Sequence, residues 1–288
     1  MGALLVTMTS FQLGAALAKS LFPALGPIGT AALRLALASV MMALVFRPWR
    51  LRVGGGLLRS ILLYGVAMGA MNTFFYLALR RIPLGITVAL EFLGPLAVAL
   101  LSLHRRLDLL WVLLAALGVW GLTPWGAAGA TLAADGIACA LAAGVCWALY
   151  IVFGQRTSGA HAGQTAALGT LVGALLVLPV GFASTGWALF APRYLPLACA
   201  VALLSTAVPY SLELYALTRL PARTYGVLMS LAPAMGALTG RAFLGERLTG
   251  VQWLAVASIA LASGGVALTA PAAPARPPRQ NQTSSTAT

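Results

Sequence analysis

Acidic residues are almost missing from this chain. Its 288 residues include five Asp and Glu against 18 Lys and Arg, and charged residues make up only 8%. A soluble globular domain carries about a quarter charged residues, so a water-soluble fold is excluded. Histidine is scarce too. His104 and His161 both lie in short polar segments, and neither has an HExxH-like arrangement or a cysteine partner nearby. The three cysteines, Cys139, Cys146 and Cys199, sit in apolar stretches without ligand spacing and read as small buried hydrophobes. No apolar run holds a histidine and no cysteine has a basic partner, so these residues supply neither a metal site nor an intramembrane nucleophile. No metal, no other cofactor and no enzymatic activity are expected. The net charge of +13 comes without the basic stripe and interleaved aromatics of a nucleic-acid surface, so no nucleic-acid partner is expected either.

What is present is apolar sequence: 60% of the residues are hydrophobic. The arginines cluster where apolar runs end, as orientation in a bilayer and anionic headgroups demand. Ten runs are long enough to cross a membrane. In the first half they are Leu4–Phe22, Ile28–Phe46, Leu57–Leu79, Pro83–Leu103 and Leu109–Pro124. In the second they are Ala134–Gly154, Thr165–Ala183, Leu195–Leu217, Thr224–Leu244 and Val251–Ala270. The first run lacks a basic leader and a cleavage site, so it is expected to stay as a span. The segment from Pro271 to Thr288 is rich in Pro, Ser, Thr and Gln and is expected to be disordered. The basic 47–60 loop and the loop at 125–133, which has no Lys or Arg, predict both termini on the cytoplasmic side of the membrane.

The stretch Arg80–Leu101, RRIPLGITVALEFLGPLAVALL, organises the rest. It spans, yet carries Glu91 at its middle and Pro95 one turn later. A carboxylate there must face protein, water or a ligand rather than lipid. The stretch recurs at a constant offset: Ala78-Leu79 matches Ala216-Leu217, Arg81 matches Arg219, Pro83 matches Pro221, Leu90 matches Leu228 and Pro95 matches Pro233. Glu91 falls on Met229. Other matches keep the same order. Phe11 and Lys19 pair with Trp147 and Gln155, Thr30–Leu33 with Thr165–Leu168, and Leu103–Leu107 with Leu244–Leu248. The residue after the second of these is Arg34 in one half and Gly169 in the other. Ten spans as two fives force the second copy to insert upside down, a signature of secondary transporters with a site at the repeat interface. The expected fold is therefore all-α and polytopic, with repeats at 1–126 and 127–270 and a tail at 271–288.

The two PxxxxxxxxxxxP spans, the LGERLTGVQW before the last span and the five-plus-five layout resemble the drug/metabolite transporter superfamily, EamA type. Within it, Ala18–Pro23, Leu33-Arg34-Leu35, Arg47–Arg50, the ALEFLGP core of Pro83–Leu100, Ser205–Glu213 and Leu217–Pro221 are similar to the bacterial threonine/homoserine exporter type. The resemblance covers nearly all of the chain except its tail. It implies ten helices around a central cavity, with the fifth and tenth spans peripheral, and export of small amino acids across the cytoplasmic (inner) membrane. Relatives in this superfamily export other metabolites, aromatic amino acids among them.

Candidate site residues follow from charge and polarity inside spans. Arg34 and Glu91 lie at similar depth, roughly 10–12 Å in at 1.5 Å per residue. Lining a cavity, they would meet the carboxylate and the ammonium of a zwitterion. As an alternative, they form a permanent ion pair that fastens two helices. Glu213 shares a face with Thr206, Pro209 and Tyr210. It reads either as a substrate or proton site, or as a snorkelling carboxylate paired with Arg219 or Arg223. Lys19 reads as a snorkelling residue at the outer mouth, and Asp108, Asp135 and Glu246 as caps or surface charges. Asn72, Phe75 and Tyr76, with Trp147 and Tyr150, form either an amphipathic pocket lining or ordinary packing; the resemblance places the Trp147 span at the cavity. Pro95 and Pro233 each remove a donor and kink their helix, as at a hinge. Pro83 and Pro221 read as helix starts. The pairs Gly118/Gly121 and Gly236/Gly240 read as close-packing positions.

These readings predict alternating-access transport of a small molecule, an amino acid, by a protein whose other partner is the lipid bilayer. Proton coupling is compatible with it, since a desolvated carboxyl can exchange protons during a cycle. No GxxxxGK[ST] loop is present, so ATP does not drive this chain alone. A passive channel would repeat its polar ring in both halves, and these charges occur in one half only. Nothing in the residues specifies an oligomer. For the topology, a cysteine placed at Ala128 is expected to react with an impermeant thiol reagent on intact cells, and one placed at Gly54 is not. The reverse pattern overturns the orientation.

Overall fold

Apolar sequence in a bilayer must satisfy its backbone hydrogen bonds internally, so it folds into helices. The computed structural model describes residues 2–100, 106–122, 132–157, 162–209, 212 and 227–269, and among them every regular element is helical. Six helices are long and apolar enough to cross a membrane: Phe22–Phe46, Gly55–Arg81, Ala134–Arg156, Gly163–Phe190, Val227–Leu244 and Gly250–Thr269. Three shorter apolar helices are Leu4–Lys19, Leu84–Val98 and Leu109–Leu122. Leu44, Leu117, Leu175 and Leu254 are exposed on the outer surface, as on a bundle that meets lipid.

In chain order the helices are α1 (Gly2–Lys19), α2 (Phe22–Phe46), α3 (Gly55–Arg81), α4 (Leu84–Glu91), α5 (Leu93–Leu100) and α6 (Arg106–Leu122). They continue with α7 (Ala134–Thr157), α8 (Ala162–Thr185), α9 (Leu195–Ala202), α10 (Ala232–Leu244) and α11 (Gly250–Thr269). Gly26 leaves the helical region within α2 (φ 66, ψ 171), one residue ahead of Pro27. The regular run therefore starts where the apolar stretch at Ile28 does. The eighth apolar stretch begins as α9 and passes into a π turn at Leu203–Ala207. Most of its remainder, including Tyr210 and Glu213, lies outside the described residues, as do most of the 125–133 loop, Pro221 and the 271–288 tail.

The fourth stretch is kinked where α4 meets α5, at Phe92, which itself keeps helical dihedrals (φ −66, ψ −14). Proline 95 has no N–H, so the Glu91 carbonyl loses its helical partner. The hydrogen bonds on either side survive, Phe92 N–H to Val88 and Leu96 N–H to Phe92. Helix α7 fills the gap at Gly144, where a Cβ would lie 2.9 Å from the Glu91 carbonyl oxygen. Gly94 faces the Gly144 carbonyl so closely that any side chain would overlap it. The ninth stretch breaks at the matching place. Residues Ser230 and Leu231 form turns ahead of α10, and Pro233 is buried there.

The two halves of the chain interdigitate. α3 packs on α7 and α8, α2 on α8, α6 on α11 and α4 on α10. α4 and α5 also pack on α7, while α1 packs on α9, the π turn and α10. Glycines set the close crossings: Gly118 meets Ile259 and Ala255, and Gly236 meets Val88 and Gly85.

Lys19 corrects the sequence reading. Instead of snorkelling, it closes an ion pair with Glu246 at 2.7 Å, and the other Glu246 oxygen accepts the Leu84 N–H at 2.8 Å. The carboxylate thus caps α4 while binding the last residue of α1, so the two halves are joined by charge. Lys19 read as snorkelling and Glu246 as a cap or surface charge because the two lie far apart in the chain. Asp135 pairs with Arg81 at 2.9 Å in the open. Glu246→Ala strands Lys19 and the Leu84 N–H, and is expected to lower stability by about 1–3 kcal/mol. Thermal unfolding in detergent measures this, and an unchanged melting point refutes it.

Candidate functional site

The breaks in α4 and ahead of α10 face each other across a cavity of about 190 Å³. Its walls come from α1, α2, α3, α4, α7, α8, the π turn and the Met229–Ala232 break. Arg34, Asn72, Tyr76, Glu91, Trp147 and Tyr150 all line it. So the structure brings together six of the residues singled out from sequence. Pro95 and Pro233 lie just behind the lining, at the two breaks.

Arg34 sits deep in α2 and is 6% exposed. One of its terminal nitrogens donates to the Asn72 side-chain oxygen, and Asn72 in turn donates to the Met68 carbonyl at 2.8 Å. That second bond fixes which end of the amide faces Arg34. The guanidinium lies 5.4 Å from the centre of the Tyr76 ring, a cation–π arrangement. Arg34 Nε has no hydrogen-bond partner among the described residues. Glu91 is 7% exposed at the end of α4, near enough for Arg34 to act on it electrostatically. The two do not form an ion pair: among the described residues the ion pairs are Lys19–Glu246 and Arg81–Asp135. The structural-pair alternative is thus not the arrangement found. Arg34 is held by a neutral amide and an aromatic face, and its charge is not cancelled by direct contact with a carboxylate.

The aromatic residues are fixed by their neighbours. Trp147 stands edge-on to Phe92 at 5.4 Å, which ties α7 to the break after Glu91. Tyr150 stacks on Tyr64 at 4.6 Å, and their hydroxyls lie 3.0 Å apart. Tyr76 packs against Phe22 and Phe75.

Sequence reasoning missed Gln12, Thr170 and Ser205 on this wall. Gln12 donates to the Ala232 carbonyl at 3.3 Å, at the turn before α10. Its signal was a buried amide among apolar residues of the first span. Ser205 adjoins Thr206, which shared the face assigned to Glu213; a π turn rather than an α-helix presents both, and no sequence period shows that.

Asn72→Ala leaves a buried guanidinium without its acceptor, and is expected to lower stability by about 1–3 kcal/mol. Glu91→Gln strands no ionic partner and is expected to melt close to wild type. Thermal unfolding of both variants checks this. Early melting of Glu91→Gln restores the structural-pair reading.

Comparisons with known proteins identify the family. The model of the EamA-like transporter family matches residues 134–269. The threonine/homoserine exporter RhtA of Escherichia coli (strain K12) is 52% identical over 266 residues, covering 92% of this chain and 90% of the relative. RhtA of Salmonella typhimurium (strain LT2) gives the same identity and coverage. A solved crystal structure shares the fold at a TM-score of 0.58 and 19% identity, covering 92% of this chain and 96% of the other. A relative this similar over nearly its whole length, together with the family match across the second half, establishes that this chain belongs to the EamA-like transporter family.

Proposed function

We propose that the chain is a secondary transporter that exports threonine, homoserine and similar small amino acids across the bacterial cytoplasmic membrane by alternating access. The observation that carries this is that an arginine and a carboxyl group line the same cavity. Arg34 and Glu91 share one small, largely apolar cavity without neutralising each other by contact. A zwitterion answers both: its carboxylate meets Arg34 and its ammonium meets Glu91. Buried charges normally require partners, and a substrate supplies them here. The RhtA relatives are named as threonine/homoserine exporters, which narrows the class and accords with a protein that is not an enzyme. At about 190 Å³ the cavity is below the roughly 300–1,000 Å³ of drug-sized sites. That size favours small amino acids over aromatic ones.

The proposed architecture is ten helices in two inverted repeats, 1–126 and 127–270, followed by the 271–288 tail, with both termini cytoplasmic. The ordered sequence matches support it. So do several of the packing contacts, which correspond when the halves are exchanged. The α3–α7 contact answers α9–α1, and α3–α8 answers α9–α2. α7 on α4 and α5 answers α1–α10, while α2–α8, α4–α10 and α6–α11 answer themselves. Pro95 and Pro233 serve as matched hinges in this reading. Tyr210 and Glu213 are proposed at the cytoplasmic end of the path. Glu91 can also carry a proton through the cycle, making proton coupling part of the proposal.

Purified protein in liposomes, offered labelled amino acids with and without a pH gradient, tests the reading. Threonine and homoserine flux is expected, and flux of no amino acid overturns it. A hydrogen bond to a charged group contributes about 1.5–3 kcal/mol, so Glu91→Gln is expected to cut flux roughly tenfold or more. Normal flux in that variant removes Glu91 from the site.

A further inference from the structure

The cavity holds more polar groups than a zwitterion needs, and most are already engaged. The Gln12 amide donates to Ala232, and Asn72 serves Arg34 and Met68. Thr170 donates to the Ala166 carbonyl at 2.8 Å, and Tyr150 faces Tyr64. Apart from Arg34, Glu91 and the Trp147 indole N–H, what remains among the described residues is a group of hydroxyls: Tyr76, Ser205 and Thr206.

We infer that the Tyr76 hydroxyl, with Ser205 beside it and Thr206 on the same cavity wall, reads the side-chain hydroxyl of the transported amino acid. This rests on the amino-acid reading of the cavity given above.

Tyr76 is 2% exposed, and its hydroxyl closes no hydrogen bond of standard geometry among the described residues. Its ring cannot turn away to find one, because Phe22 and Phe75 hold it at 5.7 and 5.8 Å. Buried hydroxyls are normally satisfied, so this one awaits a partner. Ser205 is near it but not in bonding geometry. A ligand hydroxyl both donates and accepts. Placed between the two, it accepts from one and donates to the other.

Ser205 and Thr206 are set by the π turn Leu203–Ala207. Helix α1 pins that turn from behind. Ser10 Oγ donates to the Leu204 carbonyl at 2.7 Å, and Gly14 leaves room for Ser205 where any Cβ would overlap the serine oxygen. Single π turns recur at functional sites, and this one is braced. Tyr76 also sets the spacing. Its ring face lies by the Arg34 guanidinium and its hydroxyl end by Ser205. Carboxylate and side-chain hydroxyl are thereby read one tyrosine side chain apart, on the scale of a small hydroxy amino acid.

A site built to bond a substrate hydroxyl rejects the isostere lacking it far more strongly than a hydrophobic pocket rejects a missing methylene, since its own polar groups are left unpaired. Valine is threonine with its hydroxyl replaced by methyl. The full chain in liposomes, loaded with labelled threonine and competed with threonine, homoserine or valine, gives the test. The wild type is expected to favour both hydroxy amino acids over valine by about 100-fold or more. Tyr76→Phe and Ser205→Ala are each expected to lower that preference at least tenfold, while Tyr76→Phe melts no lower than wild type. Threonine flux with the preference unchanged in both variants overturns the inference. So does early melting of Tyr76→Phe with the preference intact, which makes the hydroxyl a tether between helices. A wild-type protein that moves no amino acid at all overturns the reading of the cavity itself, and the inference with it.

Discussion

A guanidinium inside a bundle of membrane helices must have acceptors, because no water is there to serve. Much of the cavity follows from that constraint acting on Arg34. The charge comes from α2, and its acceptor, Asn72, comes from α3. Asn72 points its oxygen the right way because its own amide is tied one turn back, to Met68. One turn further along α3, Tyr76 lays its ring by the guanidinium. Two positions four residues apart on one helix thus hold the charge without neutralising it. A carboxylate in contact would have fastened the helices more firmly but cancelled the field that an anionic group meets on entering.

Glu91 is presented by the opposite device, a helix that stops. Proline 95 removes the donor that would have closed the last turn of α4, so the helix ends at the carboxylate. The open carbonyl is not left to lipid. Gly144 of α7 lies against it, and Gly94 lies against the Gly144 carbonyl, where small residues let two backbones touch. Bundle packing in a membrane gains little from the hydrophobic effect between helices, so such close crossings carry the association. The break that presents the carboxylate is thereby also a packing contact between the halves of the chain.

Much of this was legible in the sequence, because a charge or amide in an apolar run is costly and has few explanations. Arg34, Glu91 and Asn72 were found by that logic, Trp147 and Tyr150 through the family resemblance, and all of them reach one cavity with Tyr76. The proline-marked kinks were legible for the same reason. Partner choice was not legible. Equal depth left a permanent Arg34–Glu91 ion pair open as an alternative, whereas the acceptor found at Arg34 is an amide on α3. Lys19 and Glu246 meet across most of the chain's length, a pairing that no local pattern reports. The π turn escapes a reading by helical period because it departs from that period.

The asymmetry between the halves has a physical reason at both charged positions. The match of Arg34 is Gly169, and Gly169 lies so close to the Tyr64 ring that any side chain would overlap it. Tyr64 is fixed there by its stack on Tyr150, which lines the cavity. A second arginine would therefore displace the aromatic pair that forms part of the wall. The match of Glu91 is Met229, which faces the same cavity from the opposite break. A second carboxylate there would face Glu91 with no second arginine to offset it, and like charges at close range in a medium of low dielectric repel strongly. Methionine is apolar and adaptable, and fills the position while leaving one anion and one cation in the space. The matched positions of the two sequence halves are thus unlike where they reach the cavity. One half supplies both charges, and the matching positions in the other keep the space polarised for an occupant that carries the complementary pair.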